Sequence, residues 1–193
     1  MLWRLQHGEM PDNMSVNVFW LALGTSDLAR GGCSEDAVVL GILRVAEEIH
    51  KEYPMAVVVI QGILPRTSRK DGLLEPRSYH KHLLGKHHTE KYYANMARNA
   101  FLLWPSIQVI NKQLEEFCED HEYFVYFDAA AMFLKEVKDP KVGKTYKIMQ
   151  DLMSDYVHPS PKGWKLLGKA IRDEYDRIVL DENDENDIEG DDD

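Results

Sequence analysis

Three short apolar runs, each closed by a turn residue, restrict this chain more than any other feature. Residues 16–23 (VNVFWLAL) stop at Gly24, Ala56 to Leu64 (AVVVIQGIL) stops at Pro65, and Tyr123 to Phe127 (YFVYF) stops at Asp128. The first and third are too short for a helix, and all three are rich in β-branched or aromatic residues, so they predict buried strands. Between them the period changes. Ser34 is placed to cap a helix whose Val38, Ile42, Val45 and Ile49 form one stripe, and Pro54 stops it. Pro105 opens a helix with Ile107, Ile110, Leu114 and Phe117 on one face. Ser160 and Pro161 start a last helix whose Trp164, Leu167, Ile171 and Ile178 are expected to face inward. Strands alternating with amphipathic helices imply βαβ crossovers, hence an α/β fold of three layers, α/β/α, around a parallel sheet. In such sheets chemistry gathers at the carboxyl ends of the strands. The turns after Leu23 and Leu64, and the loop before Ser160, are therefore the places to look for a site.

The 193 residues suit one domain, expected over residues 1–180 and interrupted at about 67–104 by a polar, His/Lys/Arg-rich insertion, partly helical from Glu90 to Leu103. The formal charge of −10 is local: nine acidic residues and no basic ones lie in 181–193 (DENDENDIEGDDD), leaving the rest at −1. That segment reads as a disordered acidic tail, and a near-neutral body offers no electrostatic footprint for nucleic acid. Cys33 and Cys118 are too few and too far apart for a disulfide framework or a paired metal site, and are expected as reduced, half-buried thiols. No apolar run reaches the ~18 residues of a membrane span, and MLWRLQHGEM lacks the plan of a signal peptide, so the expected location is cytoplasmic.

The most informative stretch is Asp155-Tyr156-Val157-His158-Pro159. A carboxylate three residues before a histidine, in a loop ended by proline and a helix cap, can turn back to hold the imidazole Nδ1. The other nitrogen is then free to act as a general base. The same spacing also suits a plain turn residue followed by a surface histidine. Gly24-Thr25-Ser26-Asp27 follows the first strand directly, where a tight turn could present backbone N–H groups and a short hydroxyl to a developing negative charge. Any strand-to-helix turn has the same look. In the insertion, His80, His82, His87, His88 and Glu90 could offer metal ligands, but their spacing matches no metal motif, and an exposed basic loop explains them as well.

Taken together, a strand ending in Gly24-Thr25-Ser26, the next ending in Leu64-Pro65-Arg66, and a late Asp155-Tyr-Val-His158-Pro159-Ser160 with Gly163 resemble the SGNH (GDSL-type) ester-hydrolase superfamily. The opening Leu2-Trp3-Arg4-Leu5, with Gly8-Glu9, looks like the segment following the second motif in catalytic subunits of intracellular platelet-activating-factor acetylhydrolases. The resemblance implies a flavodoxin-like α/β/α fold and acyl or acetyl ester hydrolysis by a Ser-His-Asp mechanism, with no metal and no cofactor. His158 would be the base, Asp155 its orienting carboxylate, Ser26 the oxyanion-hole residue and Gly24 the turn. A small acylated or acetylated molecule would be the substrate.

Three departures qualify it. Ser26 stands where the family usually has Asn, and the family's Gly-Asp-Ser nucleophile block and the glycine block that follows it are both absent from the sequence. No serine present is assigned as nucleophile: Ser34 caps a helix, Ser68 and Ser78 lie in the insertion, and Ser154 adjoins the loop it would have to face. The expectation is a partial SGNH domain without its first two strands, inactive alone, whose run VNVFWLAL leaves a free sheet edge through which copies could associate. The competing expectation is a non-catalytic SGNH-fold binding or interaction protein.

Overall fold

The computed structural model describes residues 1–11, 15–67, 69–74, 103–140 and 143–188, with side chains to residue 180. After a helical start at Leu2–Arg4 the elements are β1 (Val18–Leu21), α1 (Glu35–Glu52), β2 (Val57–Gln61), β3 (Leu73–Leu74), α2 (Leu103–Glu119), β4 (Phe124–Phe127), β5 (Leu134–Asp139), β6 (Gly143–Ile148) and α3 (Pro161–Ile188). Among the described residues the parallel sheet has three strands, in the order β1-β2-β4, with Val18 opposite Val57 and Val58 opposite Phe124. This is the expected α/β arrangement.

Burial follows position in that sheet. Every residue of β2 is buried, because the central strand is covered on both faces and has no reason to alternate. In β1, at the margin, only Leu21 is buried and Val18, Phe19 and Trp20 are half-buried. Val58 and Ile60 face Val38, Ile42, Val45 and Ile49 of α1 and Ile107, Ile110 and Leu114 of α2. The opposite face carries Val57 and Val59 against Ile178 of α3, flanked by Val18, Trp20, Val125 and Phe127. Helices thus cover both faces, and each such aliphatic side chain contributes about 1.5–3 kcal/mol on burial.

The expected caps form. The Ser34 hydroxyl accepts from Ala37 N (3.2 Å), and the Ser160 hydroxyl accepts from Gly163 N (3.2 Å). α2 begins at Leu103, so Pro105 sits inside its first turn, and Leu103 and Trp104, expected at the end of the insertion, belong to the helix and to the core. Trp164 is a correction: it is 57% exposed, not inward. The inner stripe of α3 runs instead through Gly163, Leu167, Ile171 and Ile178. At its first turn the helix touches the body through Gly163, where an added Cβ would lie 2.2 Å from the Leu152 carbonyl oxygen. The thiols also differ from the half-buried expectation, Cys33 being exposed and Cys118 buried. The backbone of α3 remains helical to Ile188, eight residues into the acidic run, where a disordered tail was expected.

One element was not foreseen. β3, β6 and β5 form a second, antiparallel sheet in that order, with Leu74 opposite Tyr146 and Glu136 opposite Tyr146 on the other side. The start of the expected insertion therefore contributes a strand. Asp71 steers the chain into it: its carboxylate accepts from Arg69 (2.9 and 2.7 Å) and from Leu73 N (3.1 Å), which holds the acid far below its usual range. Residues 75–102, including the helix expected from Glu90, lie outside the described residues.

Candidate functional site

The second sheet matters because β6 delivers the loop 149–160. Met149 N donates to Phe133 O (2.9 Å), and Leu152 N and Met153 N both donate to Met149 O (3.0 Å). Tyr156 N donates to Met153 O (3.1 Å), and Ser160 N closes the loop on Leu152 O (2.7 Å). Side chains reinforce it: Ser160 Oγ donates to Asp151 O (2.6 Å), and Lys162 Nζ pairs with Asp151 Oδ2 (2.5 Å).

At its tip the loop folds Asp155 back onto His158. Asp155 Oδ1 accepts from Val157 N (2.9 Å) and His158 N (2.7 Å), while Oδ2 lies 2.7 Å from His158 Nδ1. The His158 backbone N–H first, and its ring second, hold the Asp155 carboxyl down at about 2. Asp155 is therefore ionised at neutral pH, and a carboxylate can only accept, so Nδ1 is the donor and Nε2 lies on the far side of the ring, outside that contact. Both side chains are open to water, 75% and 53% exposed. An exposed pair contributes at most about 1 kcal/mol to stability. What it fixes is the direction and tautomer of the imidazole.

Between the two partners Tyr156 adopts φ +58°, a left-handed conformation costing a non-glycine residue about 1–2 kcal/mol. Its buried ring offsets that cost by packing on Gly72, where a Cβ would fall 2.5 Å from Tyr156 Cε1. The loop is also stitched to the exit of the central strand, since Thr67 N donates to Tyr156 O (3.2 Å). Asp155 and His158 thus sit at the carboxyl end of β2.

The turn after β1 is built differently. Gly24 is buried at φ +100°, and an added Cβ would meet Ile63 Cδ1 and Val38 Cγ1 at 2.9 Å, so only glycine fits without displacement. Ser26 is exposed, and its hydroxyl caps no backbone N–H of the turn that follows. A groove of about 430 Å³ opens from Gly24 and Asp27 along α1, lined by Leu2, Leu23, Val38 and Leu40 among others. Neither Asp155 nor His158 lines it.

Arg66 links the two sides, and the sequence reading gave it no role. Burial first, then the charge of Arg30, lower the pKa of its guanidinium, while Asp155 acts in the opposite direction. Arg66 therefore feels both the segment after Ser26 and the Asp155 loop. Its Nε is buried and has no hydrogen-bond partner among the described residues. A signal was present: Arg66 is the one charged residue between Ala56 and Thr67, placed directly after the proline that ends the central strand. His80, His82, His87, His88 and Glu90 lie outside the described residues, as do Ser68 and Ser78. Among the described residues no group of three or more His, Cys, Asp or Glu could hold a metal ion, and no helix is long and apolar enough to cross a membrane.

The parallel-sheet α/β body has an SGNH-like hydrolase fold, which the comparisons support. The chain is 31% identical over 83 residues to platelet-activating factor acetylhydrolase IB subunit alpha2 of Gallus gallus, an alignment covering 43% of this chain and 34% of that protein. The match thus spans about a third of that relative's length. Among solved structures, a candidate acylhydrolase from Bacteroides fragilis superposes with a TM-score of 0.60 at 15% identity, over 92% of this chain and 69% of the other. A carbohydrate esterase family 3 protein from Talaromyces cellulolyticus gives 0.54 at 15% identity, over 88% and 62%. No family model matches the chain.

Proposed function

We propose that this chain carries the acid–base half of a serine-type carboxylic-ester hydrolase acting on small acylated or acetylated substrates. The observation that supports it best is the 2.7 Å contact of His158 Nδ1 with Asp155 Oδ2, in a loop anchored at the carboxyl end of the central strand. His158 Nε2 would take the proton of an attacking serine hydroxyl and return it to the leaving alcohol, while Asp155 stabilises the imidazolium formed in between. The turn at Gly24 would offer backbone N–H groups to the tetrahedral oxyanion, with Ser26 adding a hydroxyl where an amide is usual. The acyl group would pass through a serine ester and then to water. No serine of the chain is assigned to that attack.

The test is turnover of short acyl esters by the longest form the gene encodes. His158→Ala should lower kcat/KM by about 10⁴-fold or more, because the base and its orienting partner act as a unit. His121→Ala, whose ring contacts Phe117 O and the Phe117 and Phe124 rings, away from the Asp155 loop, should leave it unchanged. Equal losses in the two variants would sink the assignment. Residues 1–193 alone should show no serine labelled by a fluorophosphonate probe, and stoichiometric labelling would identify a nucleophile within them. A second reading, a non-catalytic SGNH-fold binding protein, is favoured by one observation, the absence of a Gly-Asp-Ser block. Failure of the longest form to turn over any short acyl ester would favour it.

A further inference from the structure

Resting on the reading of Asp155 and His158 given above, we propose that Tyr156 is a positioning residue: its buried ring, seated on Gly72, enforces the backbone turn that aims Asp155 at His158 and so sets the direction and tautomer of the imidazole. The conformation at φ +58° is one that glycine adopts without strain, yet the residue here is an aromatic only 7% exposed. Tyr156 is the one buried residue of 155–158; Asp155 and His158 on either side of it are exposed. A tyrosine that merely filled space would reach the core from an ordinary backbone conformation. Here the strain lies between the two groups whose contact it governs. With Tyr156 turned left-handed, Val157 N and His158 N both donate to Asp155 Oδ1, which leaves Oδ2 for His158 Nδ1. The strain of a left-handed non-glycine residue exceeds what an exposed ion pair returns, so the pair does not hold the turn by itself. The ring holds it.

Two anchors fix that ring. Gly72, at φ +72°, lies so close that an added Cβ would stand 2.5 Å from Tyr156 Cε1 and 3.0 Å from Cδ1 and Cζ. Both backbone polar groups of Gly72 are engaged: its N–H donates to Arg69 O (3.1 Å), and its carbonyl accepts from Ile148 N (2.9 Å), the last residue of β6. The second anchor is Thr67, whose N–H donates to Tyr156 O (3.2 Å) and whose hydroxyl donates to Leu73 O (3.2 Å). The seat is thus bonded to the strand that delivers loop 149–160, and the ring near the tip of that loop returns to the seat. This closed circuit carries the rigidity of the second sheet to an imidazole that is itself open to water.

The test reads the His158 tautomer from the ring nitrogens of the ¹⁵N-labelled chain, which needs no turnover. The parent chain should be protonated at Nδ1. Tyr156→Gly removes the ring and leaves the left-handed backbone unstrained; it should give a population in which the Nε2-protonated form predominates, and Tyr156→Phe should restore the parent spectrum. Ile49→Ala, a core deletion near the opposite, amino end of β2, should lower the unfolding midpoint without moving the tautomer. In the longest form the gene encodes, Tyr156→Gly should lower kcat about 100-fold with KM little changed. Should Tyr156→Gly lose its folded spectrum, Thr67→Val carries the test: it keeps the backbone bond to Tyr156, frees Leu73, and should show both tautomers side by side. A parent-like tautomer in these variants, or a Tyr156→Phe chain that behaves like Tyr156→Gly, overturns the positioning role and leaves the Asp155–His158 pair standing. A parent chain already protonated at Nε2 removes the pair itself.

Discussion

The two loops assigned to the site are held in opposite ways. Loop 149–160 is over-determined: backbone bonds tie it to Phe133, to itself and to Thr67, and Asp151, Ser160 and Lys162 lock its flanks. The turn at Gly24–Asp27 is held by one glycine pressed between α1 and Ile63 and by a backbone bond from Leu28 N to Gly24 O (3.0 Å). No side chain of that turn caps it. The difference teaches where preorganisation resides. The direction of the imidazole is built into the chain, while the turn proposed for the oxyanion depends on backbone shape, so the two should respond differently to substitution.

The strongest way to break the first loop is at a distance from its charged residues. Gly163→Ala places a Cβ 2.2 Å from Leu152 O, a backbone atom that cannot turn aside, and should cost about 3 kcal/mol in denaturant unfolding while displacing Ser160 and the loop. An unchanged midpoint would mean the loop yields more readily than its bonding implies. Gly24→Ala should cost about 2 kcal/mol, from the unfavourable φ and the 2.9 Å approaches, with the His158 ring signals unmoved. If those signals move as well, the two loops are coupled and the contrast fails.

Acid titration gives a smaller effect. The folded carboxyl of Asp155 lies at about 2, below its usual 3.8, so its contribution is present above about pH 4 and is lost as pH falls through 2. Because the group is exposed, the loss should stay under about 1 kcal/mol, visible as a flatter acid limb in Asp155→Asn. Ser26→Ala should change stability by less than about 0.5 kcal/mol, since the residue is exposed and caps nothing. A larger change in melting would reveal that the second loop also leans on a side chain.

Much of this was legible in the sequence, for definite reasons. Val57 to Ile60 read as a strand because a run of β-branched residues buried on both faces leaves no competing pattern. Ser34 and Ser160 read as caps because each precedes a helical stripe. Asp155 and His158 come together because three residues is the span a carboxylate can bridge while accepting local backbone N–H groups. The antiparallel sheet escaped notice because Leu134–Asp139 (LKEVKD) and Gly143–Ile148 (GKTYKI) are mostly charged or polar with few apolar residues, and their partner β3 is two residues long. Trp164 was misassigned because periodicity locates a stripe but cannot reveal that a neighbouring glycine makes the contact. Arg66 was passed over because its surroundings are set by Arg30 and Asp155, far away along the chain.

The buried thiol of Cys118 gives the molecule a chemical clock. Burial pushes it up to about 12, so in the folded chain almost none of it is thiolate, the form that reacts with alkylating agents. Cys33, out in solvent, should react at once and serve as the internal standard. The second alkylation must wait until α2 lifts from Phe124 and the strand beneath it. Its rate therefore measures how often the core opens under native conditions, read by mass alone and without denaturant.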